Sequence, residues 1–167
     1  MKEPTIILDK EQARQKMRRM ALEIAERNSG QPELLLVGIG ENGFRIAGMT
    51  AELLKEFYPG IIHIIDLYIN KRNPAEVTFE STVSISNKTI ILIDDVANSG
   101  RTMLYAIEPL LKYLPRSIQT LALVQRTHKH FPVMIDYTGI SVSTTPGENI
   151  AVNILNNEVQ DAILQNE

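Results

Sequence analysis

Apolar residues in the first part of the chain recur at helical spacing. Ala13, Met17, Met20, Ala21, Ile24 and Ala25 share one face, which predicts an amphipathic helix over about Asp9–Ser29. Asp9 is placed to act as N-cap with Gln12 at N3, a variant of the capping box, and Gly30 and Pro32 stop the helix. Leu34–Val37 is a short apolar run of strand type that ends in Gly38-Ile39-Gly40. A second helical pattern, about Gly43 to Phe57, puts Phe44, Ala47, Ala51 and Leu54 on one face. Ile61–Leu67 is rich in β-branched residues and predicts a second strand. Asn70 to Asn87 is polar and without strong periodicity. Thr89–Ile93 is apolar throughout, as suits a strand covered on both faces. A third helix is expected from about Arg101 to Leu114, kinked or shortened by Pro109, which has no N–H for the Tyr105 carbonyl. Ile118–Val124 is a fourth strand. The remainder, through Tyr137 and Ile150–Leu155, reads as short strands and loops with a polar tail. Helices alternating with apolar strands predict an α/β protein with a parallel-sheet core, and no repeat or linker divides it, so one domain over 1–167 is expected.

Composition narrows the chemistry. The chain has no cysteine, which excludes disulfides, thiolate nucleophiles and Cys-based zinc sites. Its three histidines, His63, His128 and His130, are too few and too scattered for a histidine metal site. No apolar run approaches the roughly 18 residues that span a bilayer. The N-terminus has no signal-peptide pattern, so a cytoplasmic location with no membrane partner is expected by elimination. A net charge of −3 gives no general attraction to nucleic acid, so RNA binding would need a local basic patch.

The candidate chemistry lies after the most apolar strand. In a parallel α/β sheet ligands sit beyond the carboxyl ends of the strands. There Asp94 and Asp95 lead through Val96, Ala97 and Asn98 into Ser99-Gly100-Arg101-Thr102 and a helix. The exposed N–H groups of that helix start offer an anion site, Gly100 lets the backbone approach a phosphate, and the Ser99 and Thr102 hydroxyls add donors. Two carboxylates beside a phosphate cradle would repel the anion, unless they face sugar hydroxyls or a magnesium ion instead. The structural alternative is that the pair simply caps the following turn.

The segment Asp94–Thr102 resembles the ribose-phosphate loop of the type I phosphoribosyltransferases: an apolar strand, two acidic residues, two apolar residues, a variable pair, Gly, any residue, then Thr or Ser. The resemblance implies that fold, a parallel-sheet core with a small hood. It implies that Asp94 and Asp95 bind the ribose hydroxyls of 5-phosphoribosyl 1-diphosphate, and that Ala97, Asn98, Ser99, Gly100, Arg101 and Thr102 wrap the 5-phosphate. Mg²⁺ bound mainly through the substrate, a nucleobase as second substrate and a homo-oligomer are implied as well. Similarity extends through most of the chain to the subfamily of pyrimidine-operon attenuation regulators, which combine RNA binding with uracil phosphoribosyltransferase activity. Matching stretches include Ile7-Leu8-Asp9, Leu36-Val37-Gly38-Ile39, Lys88 to Thr102, Arg126 through Pro132, and Asp136-Tyr137.

Other segments acquire expectations from the resemblance. Gly40-Glu41-Asn42-Gly43 stands where the family holds diphosphate. Its glycines between strand and helix offer backbone donors, but the subfamily's Lys-Thr-Arg-Gly is absent, and Glu41 should weaken diphosphate binding unless Arg45 compensates. Lys71 and Arg72 fall where the family has a mobile loop that closes over the diphosphate, with a plain solvated loop as the alternative. The hood and base pocket are expected from Arg126 to Asn149. Purine-salvage relatives carry a catalytic Asp where this chain has Asn98; an amide cannot be that base, which favours a pyrimidine or a lost activity. Arg18, Arg19, His128 and Lys129 stand at places comparable to the subfamily's RNA-binding residues. The helix-1 cations nevertheless form no single stripe, and Glu23 is four residues from both Arg19 and Arg27, so a solvated, salt-bridged helix is the preferred reading. Uracil phosphoribosyl transfer is the function expected, with a nucleotide-sensing RNA-binding regulator of little or no catalysis as the alternative.

Overall fold

The computed structural model describes residues 4–70 and 72–166. Its elements in chain order are β1 (Thr5–Asp9), α1 (Lys10–Arg27), β2 (Glu33–Ile39), α2 (Gly40–Leu54), β3 (Ile61–Ile69), β4 (Val77–Phe79), β5 (Thr89–Ala97), α3 (Arg101–Leu111), β6 (Ser117–Arg126), β7 (Tyr137–Val142), β8 (Glu148–Leu155) and β9 (Glu158–Asn166). The main sheet runs β4-β3-β2-β5-β6-β7, and all neighbours are parallel except the antiparallel β4. The expected α/β class and parallel core are therefore present.

Alternation along the central strands explains why they are apolar throughout. Leu34, Leu36, Ile91 and Ile93 face a core shared with α1 and α2, while Leu35, Val37, Ile90 and Leu92 face one shared with α3. The chain leaves β2 through α2 toward β3 on one side and leaves β5 through α3 toward β6 on the other. With right-handed crossovers those opposite directions put the two helices on opposite faces, and they open a crevice between the carboxyl ends of β2 and β5. Two glycines tighten it. A Cβ at Gly38 would strike the Phe44 backbone, and one at Gly43 would lie 2.7 Å from the Ile93 carbonyl oxygen, so the first turn of α2 packs directly on the end of β5.

Several boundaries differ from expectation. Helix α1 keeps its capping box, with Asp9 Oδ1 accepting from Gln12 N at 2.8 Å and Gln12 Oε1 from Asp9 N at 3.0 Å. Helix α2 both begins and ends earlier than the sequence pattern suggests, and Phe44 is 41% exposed. Ile46 and Thr50 take its place on the buried face, because Phe44 lies roughly 80° round the helix from that face at about 100° per residue. Helix α3 passes through Pro109 and stops at Leu111, followed by Leu114 at φ 50°.

The larger difference lies at the chain ends. The polar tail is strand β9, pairing antiparallel with both β1 and β8 in a second, three-stranded sheet. That sheet, whose Asn149 and Ile150 reach the crevice, stands where the hood was expected; it overlaps the expected stretch 126–149 only at 148–149 and draws otherwise on β1 and β9. Asn156 and Asn157, at φ 52° and 55°, make the tight β8–β9 turn; two residues at positive φ suit the right-handed twist of a hairpin.

Candidate active site

Strand β5 continues past the predicted end at Ile93, and its register with β6 runs on through Asp94, Val96 and Ala97. Its pairing with β2 stops at Gly38–Ile93, because β2 turns into α2 at Gly40. Asp94 to Ala97 thus overhang the crevice with one edge. Asp94 Oδ1 accepts from Asp95 N at 2.9 Å, and Asp95 Oδ1 accepts from Val96 N at 2.8 Å. Both carboxylates are half-buried, whereas Ala97 packs into the core.

Asn98, Ser99 and Gly100 carry the chain into α3. Gly100 is the N-cap at φ 83°, a left-handed conformation that favours glycine; a Cβ there would lie 2.6 Å from Val133 Cγ1 and 3.2 Å from Phe131 O. The loop after β6 supports this turn from behind, for the N–H groups of His130 and Phe131 both donate to Ser99 O at 3.0 Å. Ser99 Oγ accepts from Arg101 N at 3.3 Å.

Helix starts separate by location. Helix α1, away from the crevice, has its first N–H groups satisfied by a side-chain cap. Helices α2 and α3 both start at the crevice, and their N-cap residues Ile39 and Gly100 make no side-chain capping bond. The first N–H groups of a helix have no intrahelical acceptor, so two such starts at one cleft offer backbone donors to an anion.

These groups line a cleft of about 810 Å³. Its wall includes Gly40, Glu41 and Asn42, the whole of Asp94 to Thr102, Tyr68 and Ile69 of β3, and Asn149 and Ile150 of the hood. The ribose-phosphate and diphosphate loops named from the sequence are therefore brought together. Tyr68 and Ile69 were not anticipated, since nothing in an alternating strand marks them as cleft-facing. A more apolar hollow of about 540 Å³ lies between α1, α2 and the β8–β9 turn. Its Lys10 and Arg45 are paired with Glu158 and Glu41, and it offers no comparable convergence of polar groups.

The side chains at the start of α2 are engaged within the protein. Glu41 borders the cleft but is 78% exposed, and its carboxylate pairs with Arg45 at 2.6 Å; Arg45 also donates to Ile154 O at 3.3 Å, so its guanidinium is committed to both. Asn42 Nδ2 donates to Asp95 Oδ2 at 2.8 Å and to Val152 O at 3.2 Å. Lys71 lies outside the described residues. Arg72 is exposed in the β3–β4 turn, with its N–H on Asn70 Oδ1 at 3.0 Å, and does not line the cleft.

The four residues considered for RNA do not converge. Arg18 pairs with Glu56 beyond the end of α2, at 2.6 Å. Arg19 pairs with Glu23 at 2.6 Å and donates to the carbonyls of Thr138 and Gly139. Arg27 reaches Asp136 at 2.7 Å rather than Glu23. His128 is exposed and bonded to Thr127 Oγ1, and Lys129 lies beside Gly100 at the carboxyl ends of the strands, whereas Glu56 precedes the amino end of β3.

Acidic oxygens at the cleft suit a hard cation, but no group of three or more His, Asp or Glu that could hold a metal occurs among the described residues. The Asp94 and Asp95 carboxylates are hard oxygen donors of the kind magnesium takes one or two of beside the phosphates of a ligand. Among the described residues no helix is long and apolar enough to cross a membrane.

Comparison with known proteins agrees with the geometry. The phosphoribosyl transferase domain family matches residues 5–156. The bifunctional protein PyrR of Bacillus cereus is 34% identical over 98% of this chain and 97% of its own. That of Clostridium novyi is 31% identical over 95% of each. Among solved structures, the hypoxanthine phosphoribosyltransferase of Trypanosoma cruzi superimposes with a TM-score of 0.81 at 15% identity, covering 97% of this chain and 96% of that one. A hypoxanthine-guanine phosphoribosyltransferase of Bacillus anthracis gives 0.70 at 20% identity, covering 89% and 87%. At such identities these structures establish the fold alone.

Proposed function

We propose that this chain, which belongs to the phosphoribosyl transferase family, moves the phosphoribosyl group of 5-phosphoribosyl 1-diphosphate to a ring nitrogen of uracil or a related base. The bond from the anomeric carbon to the diphosphate oxygen breaks, a carbon–nitrogen bond forms, and diphosphate leaves. One observation carries this reading: two uncapped helix starts and the Asp94–Asp95 pair face a single cleft at the switch point of the sheet.

In this reading Asp94 and Asp95 accept from the ribose hydroxyls, and the N–H groups and hydroxyls of Asn98 to Thr102 hold the 5-phosphate. The start of α2 at Gly40 to Gly43 receives the diphosphate, and Asn149 and Ile150 meet the base from the hood. Bound magnesium supplies charge neutralisation to the diphosphate. The protein's own contribution is to fix the two reactants in line and to set carboxylates near the positive charge that develops at the anomeric carbon. A single domain, a homo-oligomeric state and a cytoplasmic location accompany this assignment.

A second reading, a nucleotide-sensing RNA-binding regulator with little catalysis, is favoured by one feature. The diphosphate loop presents no cation of its own, because Arg45 is bound to Glu41 and to the hood. Labelled phosphoribosyl diphosphate offered with uracil, hypoxanthine and guanine, together with calorimetry of uridine and guanosine monophosphates, separates the readings. Uridine monophosphate formation from uracil supports the enzyme. Nucleotide binding without product from any base supports the regulator. Silence with both nucleotides and with phosphoribosyl diphosphate would overturn the assignment of the cleft.

A further inference from the structure

Strand β8 is an edge strand of the hood, so half of its backbone groups face away from β9. Two of its carbonyls on that edge, Val152 and Ile154, are taken by α2: Asn42 donates to the first and Arg45 to the second. Asn42 and Arg45 are three residues apart and hence neighbours on the helix surface. The first turn of α2, beside the cleft, is thereby fastened to the hood.

Asn42 does more than hold the hood. Its amide nitrogen carries two hydrogens and meets two acceptors, Asp95 Oδ2 at 2.8 Å and Val152 O at 3.2 Å. A carboxylate and a carbonyl can only accept, so the nitrogen and not the oxygen of the amide must face them. Asp95 is consequently held at both oxygens, by Val96 N on Oδ1 and by Asn42 on Oδ2, and its carboxylate plane is fixed. Each oxygen keeps lone-pair capacity for a ligand hydroxyl. A cation at position 42 would neutralise Asp95, whereas a neutral amide orients it and leaves its charge for the ligand.

We infer that Asn42 is a positioning residue: it orients Asp95 toward the ribose and ties that orientation to strand β8, whose Asn149 and Ile150 line the same cleft. The inference rests on Asp95 binding ribose, as proposed above. Uridine monophosphate and inorganic phosphate are the probes, measured by calorimetry on the wild-type chain and on Asn42→Ala, Asp95→Asn and the double variant, with thermal unfolding alongside. Loss of one hydrogen bond to a charged group should weaken uridine monophosphate by about tenfold in Asn42→Ala. Inorganic phosphate, which has no hydroxyl for Asp95, should bind unchanged. In the Asp95→Asn background the Asn42→Ala change should cost nothing further, since residues acting through one contact are not additive. Asn42→Asp, of the same size, should weaken the nucleotide more than Asn42→Ala does, and it serves as the test variant if the alanine protein does not fold. Additive losses, equal loss of both probes, or wild-type nucleotide affinity in Asn42→Asp would each overturn the inference. If Asp95→Asn itself leaves nucleotide affinity intact, the ribose assignment falls and takes the Asn42 role with it. If Asp95→Asn weakens binding and Asn42→Ala does not, only the Asn42 role falls.

Discussion

The turn after β2 and the turn after β5 are built alike and have been put to different use. Each leaves a buried parallel strand, passes through a glycine at positive φ (64° at Gly40, 83° at Gly100) and starts a helix without a side-chain cap. They differ in what their side chains hold. Around Gly100 the supporting bonds come from behind, from His130 and Phe131, and the Ser99 and Thr102 side chains border the cleft. Around Gly40 the polar side chains are spent within the protein, Glu41 on Arg45 and Asn42 on Asp95 and Val152. Backbone geometry gives both turns an affinity for anions, and side-chain commitments decide how much charge each can accept.

The sharpest way to break this contrast is through the carboxylates that border the β5 turn. Replacing Asp94 and Asp95 together by Asn should lower affinity for phosphoribosyl diphosphate by about 100-fold or more, since two charge-assisted bonds of roughly 1.5–3 kcal/mol each are lost. Thermal stability should stay nearly constant, because like-charge repulsion is relieved at the same time. A large fall in the unfolding midpoint with intact binding would make the pair structural.

Substitution of the two glycines compares the turns directly. Gly100→Ala drives a Cβ into Val133 and the Phe131 carbonyl at φ 83°, so it should cost about 2 kcal/mol or more of stability and weaken nucleotide binding. Gly40→Ala meets no atom within 4 Å and carries only the left-handed penalty, about 1 kcal/mol. Denaturant unfolding of both variants measures the difference. Equal losses would mean that the support from the 128–133 loop is unimportant.

How much of this was legible in the sequence depends on how local each feature is. The capping box of α1, the apolar strands and the Asp94–Thr102 loop are contiguous, and each was readable from its own segment. Strand β1 was not, because the short Ile6–Leu8 run becomes a strand only by pairing with residues 162–164 at the other end of the chain; β9 was missed as part of a polar tail. A local signal for the hairpin did exist: Asn156-Asn157 between two β-branched stretches is a two-residue turn sequence. The partners of Asn42 are equally remote in the chain, at Asp95 and Val152, so its neutral amide registered as a missing cation. Only the fold reveals it as a hydrogen-bonded link.

The smallest expected effect concerns Glu41, and it tests whether the turn after β2 is held back by charge. Replacing Gly40 or Asn42 would confound this, the first through its positive φ and the second through its bonds to Asp95 and the hood. Glu41→Ala alters neither. The Glu41–Arg45 pair is exposed on the Glu41 side, and surface pairs contribute about 0–1 kcal/mol, so stability should hardly change. Arg45 keeps its bond to Ile154 O but loses the counter-charge that neutralises it. At an aqueous dielectric, unit charges several ångströms apart interact by only about 0.5–1 kcal/mol, so diphosphate should bind about two- to fivefold more tightly. Being a surface effect, that gain should shrink as ionic strength rises above about 0.1 M, where the Debye length is near 10 Å. Calorimetry of diphosphate at low and high salt reads both expectations. Weaker binding in Glu41→Ala would show that Glu41 is needed to aim Arg45, and the turn would then count as a working diphosphate site whose cation is held in place by its own counter-ion.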